Sequence, residues 1–309
     1  MPIIDLELDR NGADFVANQQ AMLKQIDEVA AIKQKVLERS LQEKPKFVKR
    51  GKMLPHERVQ HLLDAGSPFV ELCGLAGYML HDDKDGTEAG GNMIAGIGVI
   101  NGVRCLVGAS NSAIKGGTIS PSGLRKSLRL QQIAKQNKLP MVTLAESGGA
   151  NLNYAADIFV EGARSFANQA RLSAMGLPQV TVVHGNATAG GAYQPGLSDY
   201  MVVVRNKTAM FLAGPPLLKA ATGEVATEEE LGGAAMHAQV AGTAEYLAEN
   251  DADGIRQARD IVGMLGWDKI ANTATYAEPR FPIDDILGLI PCDLRKPYDV
   301  RSIIACLVD

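Results

Sequence analysis

Pro140-Met-Val-Thr-Leu-Ala-Glu-Ser-Gly-Gly-Ala150 and Val180-Thr-Val-Val-His-Gly-Asn-Ala-Thr-Ala-Gly-Gly-Ala-Tyr193 follow one design: a short apolar run enters a glycine pair and then a helical pattern. Each apolar run is short enough for a buried strand. The glycines let the backbone turn sharply and approach a ligand closely. Peptide N–H groups unpaired where a helix begins can hold a negative oxygen. Two such turns in one domain suggest an oxyanion site built from backbone. The competing reading is a pair of ordinary strand-to-helix turns, because a lone Gly-Gly is a weak motif.

Working outward, Ile94-Ala-Gly-Ile-Gly-Val-Ile100 and Val103-Arg-Cys-Leu-Val-Gly-Ala109 flank Asn101-Gly102, a strong hairpin signal. A helix marked by Leu124, Leu128, Ile133 and Ala134 follows and stops before Pro140. The first glycine turn leads into a helix with Phe159, Ala163, Phe166, Ala167 and Ala170 on one stripe. The second leads to a short helix and a strand, Met201-Val-Val-Val204. Repeated strand–helix units with a hairpin at their head predict an α/β domain with a largely parallel sheet, whose ligand sites lie at the carboxyl ends of the strands. Both glycine turns fall there. Upstream, residues 14–42 read as an amphipathic helix. Lys44-Pro-Lys-Phe-Val-Lys-Arg-Gly-Lys52 reads as a basic loop, either a solvated linker or a contact to a phosphorylated ligand. His81–Gly91 reads as a polar, mobile surface loop, residues 252–265 as a helix, and Asp299 as the cap of a last helix.

Composition narrows the class. The 309 residues are 46% hydrophobic and 21% charged, the profile of a soluble globular protein. No apolar run approaches the ~20 residues needed to span a bilayer. The start, Met1–Arg10, alternates apolar and acidic residues without the pattern of a secretory signal, so a cytoplasmic protein is expected. Cys73, Cys105, Cys292 and Cys306 form no Cys-x-x-Cys pair, and none of the five histidines is spaced for a metal. The net charge of −4 argues against nucleic acid as a partner.

Six segments, in order, resemble the carboxyltransferase β subunits of biotin-dependent acyl-CoA carboxylases: Arg50–Val59 with Leu62-Leu-Asp64, Val99–Gly102, Lys115-Gly-Gly-Thr118, Glu146-Ser-Gly-Gly-Ala150, Thr188-Ala-Gly-Gly-Ala-Tyr193 and Leu289–Val300. Within that family, Glu146–Leu152, Phe211–Glu224 and Leu231-Gly-Gly-Ala234 with His237 look most like the methylcrotonyl-CoA and geranyl-CoA branch. The stretch Asn151-Leu-Asn-Tyr-Ala-Ala156 departs from the more polar continuation of methylcrotonyl enzymes.

The resemblance implies an α/β, crotonase-like (ClpP/crotonase) domain of ββα superhelix type with an added N-terminal helix. Its expected division is residues 1–50 as helix and basic linker, 51–275 as the carboxyltransferase N-domain, and 276–309 as a connector toward a C-domain. Family β subunits contain two such halves; the second supplies the biotin-side oxyanion turn, so this chain alone is expected to be inactive. The implied partners are an acyl-CoA substrate, a biotin carboxylase/biotin carrier α subunit and further β subunits in a homo-oligomer, with neither membrane nor nucleic acid. The implied cofactor is biotin, carried elsewhere, with a coenzyme A thioester as substrate.

In the implied chemistry carboxybiotin releases carbon dioxide, the freed biotin nitrogen removes a proton from the acyl-CoA, and the enolate attacks the carbon dioxide. Backbone donors suit the charge that develops on the thioester oxygen, each worth roughly 3–4 kcal/mol where such donors have been removed. Gly148 and Gly149 are expected as the oxyanion turn, with Gly190 and Gly191 as the second catalytic pair. Ala189 and Ala192 form the adjoining wall together with Gly190 and Gly191, Ala150 and Tyr193 are further substrate-binding residues, and the Lys115-Gly116-Gly117 loop flanks coenzyme A. Ser147 lacks a Gly-x-Ser-x-Gly frame and reads as structural. His184 reads as a packed histidine or a general base, Glu146 and Glu161 as helix-terminus charges or the acid and base of a hydratase, and Pro215-Pro216 as a rigid turn. The alternatives are a propionyl- or acetyl-CoA carboxylase, a biotin-dependent decarboxylase subunit, a stand-alone crotonase-like hydratase or isomerase, and a non-catalytic interaction module.

Overall fold

A computed structural model describes residue 4 and residues 6–268 and 277–308. The boundary expected between 275 and 276 lies outside the described residues, as do residues 1–3 and 5 of the alternating start. The chain forms two compact units, Lys35–Ile270 and Met1–Gln34 with Ala271–Asp309.

Along the chain, α1 (Ala13–Leu41) is followed by α2 (Lys44–Lys49) and α3 (Pro55–Leu62), then β1 (Val70–Glu71), β2 (Met93–Ile100) and β3 (Val103–Ser110). Next come α4 (Pro121–Asn137), β4 (Met141–Ser147), α5 (Ala155–Ala174), β5 (Gln179–Thr188), α6 (Gly190–Gly196), β6 (Tyr200–Val204) and β7 (Ala209–Phe211). The order closes with α7 (Pro215–Thr222), α8 (Glu228–Gly232), β8 (Tyr246–Ala248), α9 (Asp251–Met264), α10 (Ile286–Leu289) and α11 (Val300–Ile304). Among the described residues no helix is long and apolar enough to cross a membrane.

The strands form one sheet in the order β1-β2-β3-β4-β5-β6-β8, with β7 pairing the far end of β5. β1, β2 and β3 pair antiparallel; every later pair is parallel. The hairpin turns at Asn101 and Gly102, both at positive φ (49° and 79°), as a two-residue turn matching strand twist requires. Asp64 pins that turn by accepting from the N–H groups of both residues at 2.8 Å.

The parallel strands are covered on both faces, which is why they read as continuous apolar runs rather than alternating ones. Val142, Leu144, Val180, Val182, Val202 and Val204 pack with Val59 and Leu62 of α3 and Ile255, Ala258, Ile261 and Val262 of α9. Val183, Met201 and Val203, out of phase by one, join Ala187, Ala192 and Met210 in a second cluster. On β3, Leu106 points to a third cluster with Leu130 and Ala134 of α4.

The expected apolar stripe of α5 is not its packed face. Phe159 and Val160 are exposed, and Ile158, Gln169 and Leu172 are buried instead. Amides join this face to its neighbours as well: Gln131 Nε2 donates to Ser165 O at 2.9 Å, Asn168 Nδ2 to Gln131 Oε1 at 3.0 Å, and Gln169 Nε2 to Gln194 O at 2.9 Å. Apolar periodicity alone could not identify a face held by polar contacts. The basic loop is likewise not a loop, since Pro45 sits in the first turn of α2 and Phe47 is buried.

In the other unit, Arg10 holds Asp285 through Nε and Nη2 at 2.8 and 2.6 Å, and Asn18 Nδ2 donates to Gly288 O at 3.1 Å. Asp299 caps α11 by accepting from Arg301 N–H at 2.9 Å. Met1–Gln34, part of the expected N-terminal piece, clusters with Ala271–Asp309 in this unit.

Candidate active site at the glycine turns

Strands β4 and β5 lie side by side and parallel, with Ser147 in register with Ala187, so both glycine turns emerge at the same edge of the sheet. A methyl built on Gly149 would lie 3.3 Å from Thr188 O, and one on Gly191 would lie 3.7 Å from Ser147 Cβ and Oγ. The two turns are therefore in contact. The Lys115-Gly116-Gly117 loop packs on the first of them, since a methyl on Gly117 would stand 2.4 Å from Glu146 O. Gly117 also has φ +68°, so both sterics and backbone require glycine there.

Hydrogen bonds stitch these loops together. Gly148 N–H donates to Gly116 O at 3.1 Å, Ile119 N–H to Gly149 O at 2.8 Å, and Asn151 N–H to Ile119 O at 3.0 Å. Ser147 Oγ donates to Gly117 O at 2.9 Å and accepts from Gly149 N–H at 3.1 Å. Of the two N–H groups expected to hold an oxyanion, that of Gly148 thus meets a backbone carbonyl and that of Gly149 only a hydroxyl. In the second turn Ala189 has φ 52° and ψ −119°, a strained conformation for a residue with a Cβ. Its N–H donates to Phe211 O at 3.0 Å, and Ala192 N–H to Ala189 O at 3.0 Å. Gly190 and Gly191 occupy the first two positions of α6, where helical bonding leaves N–H groups unpaired. Tyr193 is half-exposed, its ring tilted against Phe166 at 5.2 Å.

Behind the turns lies a charge cluster that sequence reading missed. Glu146 Oε1 accepts from Lys52 Nζ and Oε2 from Arg58 Nη1, both at 2.6 Å, and Ser112 Oγ adds a bond at 2.9 Å. Arg58, 1% exposed, also donates through Nε to Asp251 Oδ2 at 3.0 Å. Asp251 Oδ1 lies 3.0 Å from His184 Nδ1, and its Oδ2 accepts from Met53 N–H at 2.8 Å. Burial would raise the Glu146 pKa, but Arg58 and Lys52 outweigh it and hold the carboxyl below its usual range. The same contest, won by His184 and Arg58, keeps Asp251 far below its usual range. Burial, helped by Arg58, lowers His184, which is therefore neutral. Its Nδ1–H faces Asp251, while the buried Nε2 has no partner among the described residues. The one signal in the sequence is Arg58 itself, standing in the buried register Pro55, Arg58, Val59, Leu62.

Glu146 is therefore a locked carboxylate, and His184 a packed, hydrogen-bonded ring. Glu161 is exposed and paired with Arg164 at 2.5 Å. His237 bonds Thr243 Oγ1 and Met210 O, both at 2.8 Å. Pro215 and Pro216 open α7 rather than forming a free turn. Lys52 points at Glu146 rather than outward, and Lys44 pairs with Glu57 at 2.7 Å. Lys115 pairs with Glu88 and, at 3.9 Å, with Asp82. What remains at the turns is a backbone surface without an activated side-chain nucleophile among the described residues, suited to stabilising developing negative charge.

A family model described as "Carboxyl transferase domain" matches residues 46–309. The chain is 65% identical to the β subunit of geranyl-CoA carboxylase from P. aeruginosa, whose crystal structure superposes with a TM-score of 0.90 over 98% of this chain and 57% of that one. It is 43% identical over 98% of its length to a probable biotin-dependent acyl-coenzyme A carboxylase β2 subunit of Mycobacterium tuberculosis, covering 56% of that protein. It is 42% identical over 99% of its length to a mitochondrial methylcrotonoyl-CoA carboxylase β chain of Dictyostelium discoideum, covering 53% of that protein. The chain thus spans about half the length of these relatives, and the likeness bears out the crotonase-like α/β fold.

Proposed function

Because the chain belongs to the carboxyl transferase domain family, we propose that it is a carboxyltransferase half of a biotin-dependent acyl-CoA carboxylase β subunit, acting in the cytoplasm. Geranyl-CoA is the favoured substrate, with 3-methylcrotonyl-CoA second, because identity to the geranyl-CoA enzyme is 65% against 42% for the methylcrotonoyl-CoA chain. The partners are a biotin-carrying α subunit and further β subunits. Biotin, when presented by its carrier, supplies the carboxyl group and the base.

This chain's own part is to hold the thioester. We assign the thioester oxygen to the cleft between the two turns, with Gly190 and Gly191 N–H as donors. Gly149 N–H joins them, because an oxyanion is a better acceptor than the Ser147 hydroxyl it now meets. Gly148 fixes the turn through Gly116 O. Ala150, Ala189, Ala192 and Tyr193 wall the cleft, and Gly116 and Gly117 shape its floor beneath Lys115. The observation that carries this reading is the contact between the two turns, Gly149 against Thr188 and Gly191 against Ser147.

Calorimetric titration with geranyl-CoA, 3-methylcrotonyl-CoA, propionyl-CoA and free coenzyme A tests it. Binding in that order of affinity is expected. Binding of none of them, or hydration of an enoyl-CoA without biotin, would overturn it. The locked state of Glu146 and the exposure of Glu161 speak against the hydratase reading.

A further inference from the structure

Asp82 touches neither glycine turn, yet it grips two glycine loops of the site, the one that begins at Lys115 and the one that carries the Gly148-Gly149 turn. The first loop runs from Lys115 to Ile119 and the second from Ser147 to Asn151, joined by the four bonds from Gly148, Ile119, Asn151 and Ser147 described above. Asp82 Oδ2 accepts from Asn151 Nδ2 at 3.0 Å and lies 3.9 Å from Lys115 Nζ. Its Oδ1 accepts from Tyr154 OH at 2.9 Å. The carboxylate thus holds the first residue of one glycine loop and the last residue of the other, and anchors the turn that follows.

Two further observations give the grip its purpose. Lys115 is not glycine, yet it has φ 46°, a conformation that persists only where the surroundings over-determine it. Its ammonium is held by Glu88 and Asp82 from the same loop. The His81 ring stands edge-on to Tyr154 at 5.1 Å, so consecutive residues of that loop bear on the same turn. A cavity of about 30 Å³, lined by Asp82, Lys115, Thr118 and Asn151 among others, lies where these pieces meet. Asn151 and Tyr154 belong to the stretch that departs from the methylcrotonyl pattern, and the clasp gives both a use.

The geometry points to Asp82 as a positioning residue that sets the register of the two glycine loops and thereby the affinity for an acyl-CoA thioester. The link to thioester affinity rests on the proposed function; the registering of the loops does not. The segment His81–Gly91, expected as a free surface loop, is on this reading a strap fastened beside the site.

Hydrogen exchange of the 309-residue chain separates these parts. In Asp82→Ala the amides of Gly148, Ile119 and Asn151 are expected to exchange about tenfold faster together, with the 93–110 hairpin unchanged. Tyr154→Phe, which removes one bond and no charge, should give a smaller rise at the same amides. Exchange unaltered in both variants, or changed only within 81–91, would overturn the registering role. In Asp82→Ala the Kd for geranyl-CoA should rise about tenfold while that for free coenzyme A changes less than about twofold. A purely structural role would weaken both equally, and that result would refute the effect on thioester affinity. If the unaltered chain bound no acyl-CoA while the exchange pattern held, the functional reading would fail and the register would stand.

Discussion

Two charge clusters support the glycine turns, one from behind and one from the rim, and they differ in what surrounds them. The rear cluster joins Lys52, Glu146, Arg58, Asp251 and His184, with Arg58 and His184 almost wholly buried. The rim cluster joins Asp82, Glu88 and Lys115, with the side chains of Asp82 and Lys115 more than a third exposed. Burial decides what each can do. An ion pair out of water is costly to assemble and costlier to break, because the survivor has no solvent to turn to. An ion pair in water is nearly neutral in stability and free to move. The rear cluster therefore fixes the sheet edge from which the turns emerge, whereas the rim cluster can adjust the loops without endangering the fold.

Removing one cation from each cluster should expose that contrast most sharply. Arg58→Met leaves Glu146 and Asp251 without their shared partner, and a loss of about 3–5 kcal/mol is expected from urea denaturation. Lys115→Met should leave the urea midpoint almost unchanged. Comparable losses from the two would mean that burial does not distinguish them. The cost arises from stranding the carboxylates, whatever the net worth of the intact cluster.

Gly117 is the hinge between the regions, since it belongs to the rim loop but packs on the carbonyl of Glu146. Gly117→Ala would combine a left-handed backbone penalty of roughly 1–2 kcal/mol with the 2.4 Å clash against Glu146 O. Gly176 offers the control: its φ is +73°, but nothing lies within 4 Å of a built methyl. Gly176→Ala should cost only the left-handed penalty of roughly 1–2 kcal/mol and leave ligand binding intact. Gly117→Ala should cost more and also weaken geranyl-CoA binding. Equal costs would show that the loop simply shifts away, and that the two regions are less tightly joined than the packing implies.

The division between the clusters also marks how far the sequence could be read. The Asn101-Gly102 hairpin, the parallel run of β4, β5 and β6 and the placing of both glycine turns at one sheet edge were legible, because each rests on local chemistry and short-range order. The resemblance of six ordered segments supplied the family, which residues 46–309 bear out. Neither charge cluster was legible. Arg58 and Asp251 are 193 residues apart, and Asp82 reaches Asn151 and Tyr154 across about 70. Such pairings are tertiary outcomes without a local pattern. The α5 stripe failed for a related reason: amides chose the packed face, so Phe159 points outward while Gln169 is buried. The engaged N–H of Gly148 is the same lesson within the site, for a glycine pair can announce a turn but not which of its donors are already taken.

Acid should sharpen the comparison last and most gently. His184 is held neutral by burial and by Arg58, so its folded pKa lies below the ordinary value. The unfolded chain takes up that proton below pH ~6.5 and the folded chain does not, so stability is full above that pH and declines as pH falls. Asp251 and Glu146, both depressed, add a second loss that begins only below pH ~4, where their unfolded forms protonate. His184→Asn keeps an amide donor for Asp251 Oδ1 and removes the titrating ring. It should therefore reduce the first loss by on the order of 1–2 kcal/mol between pH 7 and pH 5, leaving the smaller share of His56, whose pKa burial also lowers, and the second loss in place. Asp82 at the rim, lowered mainly by the Tyr154 hydroxyl, is too exposed to contribute visibly to either. Thermal melts at pH 7, 5 and 3.5 separate the stages. A variant that lost as much stability between pH 7 and 5 as the unaltered chain would place the titrating group outside the rear cluster.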